Sequence, residues 1–146
     1  MIARALLVWL LLLAIAIANG ALREGLLVPR FGAAAGHVVS TALLAMAILA
    51  VALATIGWLR PRTARHAAAI GALWAALVLA FEFGFGRLVA HKSWPELWAD
   101  YNLAQGRVWT FIPIITAAAP YLAARARRLI GVVGPADKLV VQWRRR

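Results

Sequence analysis

The sequence predicts an all-α, polytopic membrane protein: a four-transmembrane-helix bundle with a short interfacial helix between the third and fourth spans. Three observations predict it. Of 146 residues, 64% are hydrophobic and only 14% charged; the apolar residues fall in long runs; and the basic residues collect between and after those runs. A mean hydropathy of +0.82 is more apolar than the polar side chains of so small a chain could cover in water, so lipid is the solvent the composition demands. Spans of roughly 20 residues, rising ~1.5 Å per residue, use most of the chain, which makes residues 1–146 a single integral membrane domain.

The spans are expected near 5–22, 37–59, 67–88 and 107–125, followed by a basic tail over 126–146. The first run, Ala5 to Leu22, carries no charge. Arg4, the leucine-rich stretch and Ala16-Ile17-Ala18 also fit a cleavable signal peptide, an alternative that stays open. The second run, Phe31 to Leu59, is long enough to tilt or to begin with an interfacial turn. The third follows Arg65-His66 and embeds Glu82. The fourth contains Pro113 and Pro120, so a kink is expected there. Tyr121 to Ile130 continues at helical spacing, with Arg125, Arg127 and Arg128 set against Leu122, Leu129 and Ile130, and Gly131 and Gly134-Pro135 stop it.

Orientation follows from lysine and arginine, which resist translocation. With the Arg60–His66 bridge inside, eleven of the sixteen basic residues share that side, leaving Arg23, Arg30, Arg87, Lys92 and Arg107 outside. Acids divide the other way: Glu24, Glu82, Glu96 and Asp100 lie outward and Asp137 inward. The expected location is a bacterial cytoplasmic membrane with both termini in the cytoplasm. A formal net charge of +11 spread in this way points to anionic lipid headgroups and not to nucleic acid, which requires a basic face on a folded module.

Polar chemistry collects on the outer side. Asn19 to Glu24 leaves the first span, His37, Ser40 and Thr41 open the second, and Glu82 through Arg107 runs from the third into the fourth. Glu82, between Phe81 and Phe83, is the most telling residue: an unpaired charge near a helix centre costs about 2.5–3.5 kcal/mol, and less toward the interface. Arg23, Arg87, Arg107 and His37 are candidate partners at that depth. The candidate ligand or ion-pair layer is therefore Glu82, Arg23, His37, Arg87, His91, Asp100, Asn102 and Arg107. Either a helix-locking ion pair or a ligand, proton or cation site fits these residues.

Ser93-Trp94-Pro95-Glu96 has the form of a capping box. Trp94, Leu97, Trp98, Tyr101 and Leu103 form an aromatic and apolar face suited to the headgroup boundary, ending near Gln105-Gly106. Gly32 and Gly36 make a GxxxG at the entrance of the second span, and Gly84 and Gly86 follow Glu82, so backbones are expected to approach closely at this level.

The absence of cysteine excludes disulfides, thiolate metal sites, cysteine nucleophiles and covalent c-type haem. His37, His91, Glu82 and Asp100 match no tight metal-ligand spacing, and no metal or cofactor is predicted. No phosphate loop or nucleophile elbow is present. The function expected is that of a small non-catalytic subunit, accessory or assembly component whose outer polar layer docks a partner or ligand. Its expected partners are membrane lipids and either a membrane protein or further copies of the chain. A small ion- or ligand-coupled carrier using Glu82, and an intramembrane enzyme acting on lipid or quinone, are the alternatives the residues leave open.

Overall fold

A computed structural model describes residues 1–99 and 108–130. Every described element is helical: α1 (Ile2–Leu22), α2 (Val28–Leu59), α3 (Ala64–Leu88), α4 (Trp94–Ala99) and α5 (Phe111–Ala126). By length and composition three continuous stretches could cross a membrane, namely Ile2–Leu59, Ala64–Leu88 and Val108–Ala126.

The first of these is folded back on itself. Arg4 meets Trp58, and Asn19 meets Ser40, a register that only an antiparallel pair produces. The helix does not stop where the apolar run meets Arg23-Glu24, as the sequence suggests. It passes through a π-helical turn over Arg23–Leu27 and continues to Phe31. The reversal is concentrated at Gly32, whose φ of 81° and ψ of 166° interrupt α2; this left-handed region strains any residue with a β-carbon. Gly36 then packs back on the helical turn at Leu27 and Val28 that precedes the hinge. A β-carbon there would lie 2.9 Å from the Val28 backbone nitrogen. The two glycines of the GxxxG thus divide the work between a hinge and a close contact.

The second hairpin pairs α3 with α5. Arg60 caps α2 in the left-handed conformation (φ 51°, ψ 57°), and Thr63 caps α3, its hydroxyl accepting from the His66 N–H at 3.2 Å. This puts the polar caps inside the basic bridge, where the chain needs to end one helix and start the next. Pro113 falls in the first turn of α5, where its missing N–H has no intrahelical acceptor to lose, whereas Pro120 lies buried inside the helix. Beyond Ala126 the helix ends in a turn with Arg128 at φ 53°.

The four long helices form a ring in the order α1, α2, α5, α3, in which α3 against α5 is the most extensive contact and α1 against α3 the least. The buried stripe of α2 recurs every fourth residue, through Gly36, Ser40, Leu44, Ile48, Ala52 and Ile56. Facing it are Ala5, Val8 and Leu12 of α1, Ile70 and Trp74 of α3, and Ile112, Ala119 and Ala123 of α5. Trp74 is fully buried, and its Nε1 donates to the Ala5 carbonyl at 2.8 Å. Large apolar side chains on every long helix remain exposed, among them Leu7, Met46, Leu88 and Ile114, an inside-out distribution that only lipid tolerates.

Gly71 explains how α3 and α5 come so close, because a β-carbon on it would fall on the Ala117 carbonyl. Gly84, one of the glycines the sequence singles out, faces open space. Gly71→Ala is therefore expected to cost about 1–3 kcal/mol through forced separation of the two helices, and Gly84→Ala to be near neutral. Thermal unfolding of the two variants in detergent checks this; equal melting temperatures would contradict the close approach.

A candidate groove between α1 and α3

The weak side of the ring becomes an opening. α1 and α3 run parallel and are pinned at one end by the Trp74–Ala5 hydrogen bond. Toward the other end a groove of about 620 Å³ separates them. Trp9, Leu12, Leu13, Ala16 and Ile17 form one wall and Val78, Phe81, Phe83 and Phe85 the other. Leu44, Ile48, Ile112 and Thr116 lie behind, from α2 and α5. This volume and apolar lining lie within the range of small-molecule sites, which add a few placed polar groups to fix orientation.

Those polar groups stand toward the far end: Asn19, Arg23, Glu24, His37, Glu82, Lys92 and Trp109 all line the groove. Half-buried Glu82 accepts a hydrogen bond from Trp109 Nε1 through Oε1 at 2.9 Å. A bond of this kind to an ionised carboxylate contributes roughly 1.5–3 kcal/mol, the same order as the cost of placing the charge there. The Trp109 ring in turn lies 6.2 Å from the His37 ring, tilted by 48°. Asn19 Nδ2 donates to Ser40 Oγ at 2.8 Å, a buried bond that locks α1 to α2 beside the groove. Thr41 and Thr116 return their hydroxyls to His37 and Ile112 carbonyls of their own helices, as hydroxyls in apolar helices commonly do.

Of the residues the sequence nominates, the structure brings Glu82, His37 and Arg23 to this groove. Arg23 Nε pairs with its neighbour Glu24 at 2.9 Å. Arg87 and His91 stand elsewhere: Arg87 is exposed and donates to the Lys92 carbonyl at 3.2 Å, and His91 occupies an exposed turn with φ 51°. Asp100, Asn102 and Arg107 lie outside the described residues. Among the described residues no three His, Asp or Glu side chains come together as metal ligands would. Trp109 and Lys92 are the groove residues that sequence reasoning passed over or counted only as charge. The signal for Trp109 is an indole at the start of an apolar run, since a buried indole N–H needs an acceptor at its own depth.

The mouth is bordered by α4. Its Leu97 is buried against Gly86, where any β-carbon would collide with the leucine, and Phe83 packs on Trp94 and Trp98 with ring centres 6.4 and 5.1 Å away. The glutamate half of the capping box forms as its spacing implies, with Glu96 Oε2 accepting from the Ser93 N–H at 2.7 Å, while the Ser93 hydroxyl donates to the same oxygen at 2.8 Å. The remainder of the expected interfacial segment, including Tyr101 and Leu103, lies outside the described residues.

Fold and groove together define the class: an all-helical integral membrane protein with a lateral, one-ended polar groove. No protein-family model, curated protein or solved structure matches the chain.

The Ser93 backbone N–H, then its hydroxyl, then the charge of Lys92 hold the Glu96 carboxyl below the usual carboxylate range, with slight burial opposing them. A group whose folded value is lowered stabilises the fold above its unfolded value, and this is lost as pH falls through the folded one. The cap on α4 is thus intact at neutral pH and released only in acid. Titration of the Glu96 carboxyl by carbon NMR should give a midpoint below the ordinary range, moving up toward it in Ser93→Ala. An ordinary midpoint in the unsubstituted protein would mean that the cap does not form in solution.

Proposed function

We propose that the chain is a four-span membrane component that binds an amphiphile, with the polar head at Glu82, His37 and Trp109 and the apolar tail between α1 and α3. It acts by holding or presenting that molecule, as a non-catalytic subunit does, and carries out no chemistry of its own. The observation that carries this reading is the shape of the groove, whose walls are apolar along two parallel helices and whose polar side chains gather at one end. Water-soluble ligands do not need such a slot; molecules with a head and a tail do.

The folded-back first stretch supports the reading of four crossings. Its 58 residues would extend ~87 Å as one straight helix at ~1.5 Å per residue, far beyond the ~30 Å hydrocarbon layer. The end bearing Arg4, Arg60, Arg62, Arg65, Arg125 and Arg127 belongs in the cytoplasm by the positive-inside rule, which places the polar end of the groove outside. Trp94 and Trp98, both largely exposed, suit α4 to the outer headgroup boundary.

Because the chain has no cysteine, single introduced cysteines report its topology cleanly. In intact cells a membrane-impermeant maleimide should label Ser93→Cys and reach Arg62→Cys only after lysis; the opposite pattern reverses the orientation. The ligand reading is tested at Gly20, which lines the groove with nothing within 4 Å of where its β-carbon would be. Gly20→Phe should leave the melting temperature intact but lower the amphiphile extracted per purified chain by at least about tenfold, equivalent to ~1.4 kcal/mol of binding. Equal extraction from the two proteins by quantitative mass spectrometry would rule the groove out as the binding site.

A further inference from the structure

The opposite end of the bundle holds a second arrangement, independent of the groove. Where α1 begins and α2 gives way to α3, Arg4, Arg60, Arg62 and His66 line an open cup, with Met1, Gly57, Leu59, Pro61 and Leu129 completing its wall. Arginines at a membrane turn are ordinarily a solvated topology signal. Four features separate this cup from that case.

Arg4 is held in place. Its Nη1 donates to the Trp58 carbonyl at 2.8 Å, and its guanidinium carbon lies 5.3 Å from the Trp58 ring centre, so a backbone carbonyl and an aromatic face orient the fork. Arg60 occupies the left-handed conformation that glycine or asparagine fills at lower cost, and its side chain is thereby delivered to the same cup. His66 contributes an imidazole to the same lining. Among the described residues no carboxylate lines the cup. Guanidinium groups lining one cup with no described acid among them repel one another until an anion lies between them, and the planar fork of arginine matches phosphate oxygens two at a time.

We propose that this cup binds the phosphate of an anionic phospholipid, with Arg4, Arg60 and Arg62 on its oxygens and His66 as a further donor. The surroundings favour a lipid over free phosphate. Leu59 and Leu129 belong to the cup wall, and α1 leaves it with Ile2, Leu6, Leu7 and Leu10 exposed, an apolar track along which acyl chains lie while the head stays in the cup.

The test uses the full chain in detergent, titrated with phosphatidylglycerol, with phosphatidylcholine and with inorganic phosphate, and read by native mass spectrometry. Phosphatidylglycerol is expected to be retained, phosphatidylcholine to be lost, and excess inorganic phosphate to displace the lipid poorly. The double variant R60N/R62Q keeps a residue that accepts the left-handed backbone and should weaken phosphatidylglycerol binding by about tenfold. R65Q/R125Q removes the same charge from the same end at exposed positions outside the cup wall, and should change binding by no more than about twofold if the site is local and not a diffuse surface potential. Equal losses in the two double variants, equal retention of phosphatidylcholine, or full displacement by inorganic phosphate would each overturn the proposal. Should R60N/R62Q fail to remain monodisperse, R62Q alone, at an exposed side chain, serves with R65Q as its control and the same criteria.

Discussion

The hydrogen bond from the Trp74 indole to the Ala5 carbonyl determines what the rest of the bundle can be. α1 and α3 have few other reasons to touch, since α1 belongs to one hairpin and α3 to the other, and the hairpins otherwise join through α2 and α5. A buried indole N–H without an acceptor would be costly in lipid, where no water can substitute. Satisfying it on a main-chain oxygen closes the ring at that end between two helices that the chain's two reversals already make parallel. Their separation further along leaves room for the groove. The close contact of α3 with α5 at Gly71 and the Asn19–Ser40 bond between α1 and α2 then fix each hairpin internally, so that the groove lies between two braced units and does not come from loose packing.

Much of this is legible in the sequence. The helical class and the long apolar stretches followed from hydropathy, and the gathering of Glu82, His37 and Arg23 followed from placing three segments at a common depth. The reach of Glu96 back to the Ser93 N–H is readable because the two partners lie three residues apart, and a local hydrogen bond needs no knowledge of tertiary structure. The end of the first helix was not readable. Charge in Arg23-Glu24 looked like an exit from the membrane, yet the backbone keeps its hydrogen bonds through a π-turn and breaks only at Gly32, because hydropathy measures side chains and carries no information on where φ changes sign.

Glycine spacing was the least reliable guide. The sequence pointed to Gly32, Gly36, Gly84 and Gly86 by motif, whereas the tightest helix contact is at Gly71, an isolated glycine between Ile70 and Ala72. Which glycine carries a contact depends on which face of its helix meets a neighbour, and that is settled by the assembled ring. Likewise Trp109 joins Glu82 only because α5 descends antiparallel to α3, a relation across 27 positions that no local pattern encodes. Arg87 and His91 illustrate the converse: near Glu82 in sequence, they fall in the last turn of α3 and just beyond it, outside the groove lining.

The parted ends of α1 and α3 bear on how any occupant would come and go. A slot bounded by two parallel helices and open along its length is bordered by side chains, so passage through it breaks no main-chain hydrogen bond and unwinds no helix. An apolar tail can slide in edgewise from the surrounding acyl chains without ever being hydrated. Exchange on such a path is governed by lateral encounter within one leaflet, and release into water, ordinarily the slow step for a greasy molecule, drops out of the route.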